Sequence, residues 1–430
     1  MNRISQGIFL FLLAYVPFYV FFSNWAGVGF GQLEILKVSK DVLMVIGLFM
    51  SLIQAGKDKI VDLIKEKDKL LLVITIYSLL TVLMAVLKVN DIDAEQIAIL
   101  FNLRFLAFFV YGAFLVINGS KNILTKASKI VLTSGIIVAI LGVIQVFLLP
   151  TNALSHFGYS LSTGTPTAFF LSGESIERAF STLKDPNSLG SYLIIIICLS
   201  FFYSLNSFYA SKKKRIATNL LLLICLFLTF SRSAWIGSLV AIGTYLALDS
   251  RTKKIILKKR KVITIFTMIF SIILVFVIML GPKQSLINEI LIHHDGRSIG
   301  SSNSQRIDGF QRTVKKIIEN PIGYGPGSAG PASMKNDTKG ALIPENYYLQ
   351  IAHEVGVFGL ALFLSICFIV VRRLFLLKKR PNIAAVVIAS FFGLALTNFL
   401  VQIWFNETVA YTWWGLAALV IYSYGTEQGL

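Results

Sequence analysis

KLLLVITIYSLLTVLMAVLK, residues 69–88, carries no charge between its two flanking lysines. Eighteen residues separate Lys69 from Lys88, and at about 1.5 Å per residue a helix over them approaches the roughly 30 Å hydrocarbon core of a bilayer. Stretches of this kind recur along the whole chain. Reading outward from 70–87, we predict further spans near 7–23, 38–54, 97–117, 130–149, 187–208, 216–231, 233–249, 262–280, 346–371, 383–403 and 409–424. Composition agrees, since 55% of the 430 residues are hydrophobic, only 14% are charged and mean hydropathy is +0.73, outside the balance of a soluble domain. The expected fold is all-α, a single polytopic transmembrane domain over residues 1–430 with about twelve membrane helices.

Residues 216–249 could form one bent helix, but Ser231, Arg232 and Ser233 at its middle would strand a cation in lipid. Two short helices meeting at an interface fit better. Charge sets the orientation, because Lys and Arg in short loops collect on the cytoplasmic side. Lys57, Lys59, Lys65, Lys67 and Lys69 follow the second span, Lys121, Lys126 and Lys129 the fourth, and Lys212, Lys213, Lys214 and Arg215 the sixth. Arg251–Lys261 and Arg372–Arg380, with seven and five cations, fall on the same side. Both termini are therefore expected in the cytoplasm. The net charge of +18 sits mostly in these loops and has no basic-aromatic module beside it, so no nucleic-acid partner is expected. Residues 1–23 lack a small-residue cleavage pattern and read as a retained helix. Cys198, Cys225 and Cys367 lie within predicted spans and read as reduced packing residues.

Two external segments, 150–186 and 281–345, exceed simple connectors. In the second, Ser302 to Gln305 resembles a capping box, and Ile307, Phe310, Val314, Ile317 and Ile318 follow at helical spacing. We predict a partly helical loop with an amphipathic helix lying over the membrane. It stops at Asn320 and Pro321, after which Gly323, Gly325 and Gly327 demand tight, partly left-handed turns.

Three stretches, Arg178–Gly190 (RAFSTLKDPNSLG), Leu228–Trp235 (LTFSRSAW) and Asn320–Gly327 (NPIGYGPG) with Glu345–Gln350 (ENYYLQ), resemble in order and spacing the O-antigen ligase and O-antigen polymerase superfamily. The resemblance covers roughly residues 170–375. It implies a membrane glycosyltransferase of the multi-spanning type, in the bacterial inner membrane, with its site on the periplasmic face. Its donor would be an undecaprenyl-diphosphate-linked oligosaccharide held in the bilayer, with no cofactor and no metal. A chain-length regulator and a flippase are further implied partners. Such a site must hold two phosphates and stabilise charge on the leaving oxygen, for which a planar guanidinium suits better than lysine.

The family's functional arginines fall on Arg232 and Arg306, and Arg178 is a third candidate at the same face. Each could instead snorkel or cap a helix. Arg104, inside a span, is a further candidate or the partner of an interior carboxylate or carbonyl. Arg312, with Lys315 and Lys316, either extends a basic face toward lipid phosphates or is a solvated helix face. His293, His294 and Asp295 lack metal-ligand spacing, so no metal is assigned. Ligases of the superfamily usually carry a histidine beside the asparagine of the last motif, where this chain has Glu345. That carboxylate is a candidate general base, or a helix N-terminal glutamate favoured by the dipole. His353 is the second base candidate, sharing a helix face with Asn346 and Gln350, and equally a packing residue. Asn346 and Tyr348 are candidates for binding sugar hydroxyls.

Four functions follow for comparison. A glycan polymerase joining lipid-linked repeat units is favoured. A ligase with lipid A core as acceptor is disfavoured by the missing histidine, and a protein O-oligosaccharyltransferase by the absence of extra external mass. A lipid-glycan transporter or flippase would show paired half-chain repeats, and none is visible.

Overall fold

With no water in a bilayer core, a spanning chain must pair its own backbone, and helices do so within one segment. The computed structural model describes residues 2–65, 68–120, 122–171, 176–205, 211–249, 302–337, 340–377 and 382–425. Among them it has fourteen α-helices: α1 (Asn2–Tyr15), α2 (Tyr19–Phe30), α3 (Leu33–Lys65), α4 (Lys69–Leu87), α5 (Ile92–Ile117), α6 (Ile123–Leu148), α7 (Pro186–Leu205), α8 (Lys212–Leu228), α9 (Arg232–Leu248), α10 (Ser302–Glu319), α11 (Tyr347–Glu354), α12 (Gly356–Leu376), α13 (Asn382–Leu400) and α14 (Glu407–Gly425). The predicted span 262–280, the basic run 251–261 and His293, His294 and Asp295 lie outside the described residues.

Six of these helices are long and apolar enough to cross a membrane, or up to seven when one bent pair counts as a single span. The chain is thus a helical membrane protein, and the expected count of twelve is not reached on that measure. The two helices at 212–228 and 232–248 have 17 residues each, short for a lone span. Two predicted spans are broken. The first divides into α1 and α2, bent by 89°, at Pro17, which has no N–H to continue a helix. The span predicted at 346–371 divides into α11 and α12 at Val355 and Gly356.

The helix α14 is buried along nearly its whole length and packs against α5, while α9 packs on α13 and α7. The buried charges of α3, α5 and α14 meet as a matched set. Arg104 on α5 donates to Glu407 on α14 at 2.7 Å and to the Phe405 carbonyl, Lys40 on α3 lies 3.2 Å from Asp41 and 3.5 Å from Glu407, and Tyr411 donates to Asp41 at 2.6 Å. Arg104 therefore has both partners foreseen for it, a carboxylate and a carbonyl. At the other end of the bundle, Arg373 and Tyr422 both donate to Asp68, the cap of α4. Burial works against the Asp68 carboxylate, yet the guanidinium and the phenol hold it below its ordinary value.

Residues 149–171 and 176–185 are irregular, with a short 3-10 turn at Ala153–Phe157 and isolated bridges between Ser160 and Thr165 and between Phe170 and Glu177. Gln145 on α6 anchors its end. The Gln145 amide oxygen accepts from the Phe180 and Ser181 N–H groups at 3.1 and 2.7 Å, and its nitrogen donates to Glu177 at 2.9 Å. Partial burial raises the Glu177 carboxyl above its ordinary value, an effect that the Gln145 donor opposes.

The glycine segment takes the left-handed turns expected of it, with φ of 104° at Gly323, 88° at Gly325 and 84° at Gly327. It docks on the break after α11. Tyr324 and Gly325 donate their N–H groups to the His353 and Glu354 carbonyls at 2.8 and 2.9 Å, and Val357 donates to the Pro321 carbonyl at 2.9 Å. Gly356, at φ 80°, allows this approach, since a Cβ there would run into the Ile322 carbonyl oxygen. Gly356→Ala should therefore cost about 2 kcal/mol or more, combining a left-handed backbone with a clash. Thermal unfolding in detergent will show it as a lowered midpoint, and an unchanged midpoint would mean that the loop does not need this contact.

Candidate active site

The α8–α9 junction begins the site. Thr229, Phe230 and Ser231 turn the chain between two helices, and Phe230 sits at φ 47°, a left-handed conformation that bulky side chains avoid. Arg178 ties this turn to the first motif, its guanidinium donating to the Thr229 carbonyl at 3.0 Å and reaching the Phe230 carbonyl and Asn187 at 3.5 Å. The Ala179 N–H donates to the Leu228 carbonyl at 2.8 Å. Arg232 is the first residue of α9, so its half-buried side chain stands at the positive end of that helix.

Residues 340–346 bring the third motif alongside. Glu345 adopts φ 47°, and the next residue, Asn346, caps α11 by accepting the Leu349 N–H at 3.0 Å while donating to the Phe399 carbonyl at 3.2 Å. Above them runs α10, which fits closely because Gly309 has no side chain where the Ile343 carbonyl passes. The apolar residues of α10 are not packed inward. Ile307 and Phe310 are 57% and 47% exposed, and both face an open cleft of about 640 Å³. Arg232 and Ser233 form one wall of that cleft, Pro344 and Glu345 another, and Phe399 and Leu400 the end of α13.

Of the residues expected at the site, Arg232 and Glu345 are thus brought to one cavity. Arg306 lies on α10 one residue before Ile307, with its side chain outside the described residues. Arg312 is exposed on α10 beyond the cleft, its Nε donating to the Asp308 carbonyl at 3.3 Å. Tyr348 donates to the Ala395 carbonyl at 3.1 Å and faces an adjoining apolar groove of about 940 Å³. Phe310 and Phe399 line both cleft and groove.

His353 lies elsewhere. It is 1% exposed, stacks on Tyr324 with ring centres 4.6 Å apart, and has its Nδ1 3.1 Å from the Ser328 hydroxyl. It faces the glycine segment and does not line the cleft. Beside it stands a residue that the sequence reading passed over. Glu354, fully buried, accepts from the Gly327 N–H at 3.0 Å, Asn102 at 2.9 Å and Gln350 at 3.4 Å. The signal was present, since a lone acid four residues after Gln350 in an apolar stretch has few ways to be tolerated.

Among the described residues no group of three His, Cys, Asp or Glu side chains could hold a metal ion, and all three cysteines are buried and unpaired. The arrangement instead offers a cation at a helix N-terminus and a carboxylate across an open cleft that continues into apolar surface. No curated protein matches this chain. Residues 217–364, which run from α8 into α12 and carry Arg232, Arg306, the glycine segment and Glu345, match a family model described as O-Antigen ligase.

Proposed function

We propose that this protein is a membrane glycosyltransferase that polymerises glycan, transferring a polyprenyl-diphosphate-linked chain onto a hydroxyl of another lipid-linked repeat unit at the external membrane face. The observation that carries this reading is the continuity of the Arg232–Glu345 cleft with the apolar groove between α12 and α13. The groove is lined by side chains such as Leu364, Phe368, Phe392 and Phe399, each at least 40% exposed. Exposed apolar surface on this scale suits an isoprenoid tail, and the charged cleft at its end suits the diphosphate.

In this reading the acceptor oxygen attacks the anomeric carbon and the bond from that carbon to the phosphate oxygen breaks. The polyprenyl diphosphate leaves with the bonding electrons. Arg232 and the N–H groups at the start of α9 meet the charge that develops on the leaving oxygen. Arg306, one residue before the cleft-lining Ile307, would add a second guanidinium. The Glu345 carboxylate takes the proton of the attacking hydroxyl. Arg178 would act as a positioning residue that holds the turn bearing Arg232. A polymerase is preferred to a ligase because Glu345 stands where ligases of the superfamily usually carry histidine.

The purified protein should lengthen a lipid-linked repeat unit in detergent without nucleotide sugar or added metal. A transporter would leave its length unchanged, and a ligase would react only when lipid A core is supplied. Arg232→Ala should cost about 3 kcal/mol of transition-state stabilisation, or at least about 100-fold in turnover, with expression and insertion retained. Arg232→Lys should recover only part of that loss, because a point charge replaces a planar fork. Wild-type elongation by Arg232→Ala would reduce this arginine to a structural role.

Glu345→Gln should lower turnover by roughly 100-fold with donor binding little changed, as expected for loss of a general base. His353→Ala should act mainly through stability, since that ring holds the glycine segment. If Glu345→Gln elongates normally and His353→Ala is folded but inactive, the base is His353. If both are active, the reaction needs no protein base.

A further inference from the structure

Glu345 borders a second cavity. A pocket of about 180 Å³ is lined by Glu345, Asp185, Asn187, Ser188, Gln402 and Phe405 among others. At about 30 Å³ per molecule in the liquid, that volume corresponds to roughly six waters. A volume of that order is comparable with one sugar ring.

We propose that this pocket is the acceptor subsite, binding the hydroxyl-bearing terminal sugar ring, with Gln402 as a specificity-determining donor; this deepens the transferase reading above and rests on it. Gln402 is 4% exposed, and its Nε2 has no hydrogen-bond partner among the described residues. A buried amide left unpaired is costly, and a sugar hydroxyl is a suitable acceptor for it. Asp185 supplies the complementary group. Its carboxylate accepts from the Asn187 and Ser188 N–H groups at 2.9 and 3.0 Å and from the Ser188 hydroxyl at 2.6 Å. A carboxylate has about four acceptor positions, so one remains for a ligand hydroxyl.

The pocket is also rigid, as a site that reads hydroxyl positions must be. Asn398 accepts from the Ile403 and Trp404 N–H groups at 3.0 and 3.2 Å, Asn406 donates to the Ser188 hydroxyl at 2.9 Å, and Arg104 donates to the Phe405 carbonyl. The 401–406 turn carrying Gln402 is thus fastened from three helices. Because Glu345 lines both cavities, a sugar in this pocket would lie beside the residue proposed as base.

The test uses purified full-length protein in detergent with a radiolabelled lipid-linked repeat unit, counting transfer to sugar and transfer to water separately. Gln402→Leu should lower the ratio of sugar to water transfer at least tenfold. Arg232→Ala should depress both products together and leave the ratio near wild type. Ile343→Trp, which fills the pocket without touching its hydrogen bonds, guards against a misfolded Gln402 variant and should lower the ratio in the same way. An unchanged ratio in both Gln402→Leu and Ile343→Trp, with turnover present, overturns the acceptor subsite alone. If the wild-type protein releases no polyprenyl diphosphate, the transferase reading falls and the subsite with it.

Discussion

A backbone N–H or C=O enclosed among helices has no water to bind, so a segment that leaves helical geometry there needs a partner from elsewhere in the chain. This protein meets the requirement with polar side chains. Gln145 receives the N–H groups of Phe180 and Ser181, Arg178 takes the Thr229 carbonyl, Asn398 receives Ile403 and Trp404, and Glu354 receives Gly327. Asn90 performs the same task for the carbonyls of Tyr324 and Pro326 at 3.1 and 3.0 Å. Each of these irregular stretches is therefore held by side-chain hydrogen bonds.

That arrangement explains where conformational strain is found. Ser181, Phe230 and Glu345 are left-handed without being glycine, and each lies in one of the three stretches that resemble the superfamily. Such residues persist only where surrounding contacts over-determine them, at about 1–3 kcal/mol each. At Ser181 and Phe230 these contacts include the bonds with Gln145 and Arg178 named above. Strain at Glu345 and Phe230 turns the carboxylate and Arg232 toward a common space, and the scaffold of α7, α9 and α13 keeps them there.

The core charges serve a different purpose. Lys40, Asp41, Arg104 and Glu407 form two acids and two bases in mutual contact, so the desolvation of each is offset by the others. Through the Phe405 carbonyl, Arg104 also holds the turn that walls the small pocket beside Glu345. A core charge cluster and the candidate site thereby share one turn of chain.

The sequence by itself determined that this is a helical membrane protein, which helices it has to within a few residues for most spans, and that a shaped glycine loop stands next to a candidate acid. Those readings rest on local properties, namely apolar run length, proline and glycine conformations and loop charge. Helix breaks at Pro17 and Gly356 were harder, because both lie inside runs that remain apolar across the break. Only the tertiary structure decided that Glu345 and Arg232 share a cavity while His353 turns away to hold the loop. Position along a helix face cannot say which neighbour that face meets. Glu354, Asp185 and Gln402 belong to the same class: their partners lie on chain segments far away in sequence, brought close only when the helices pack.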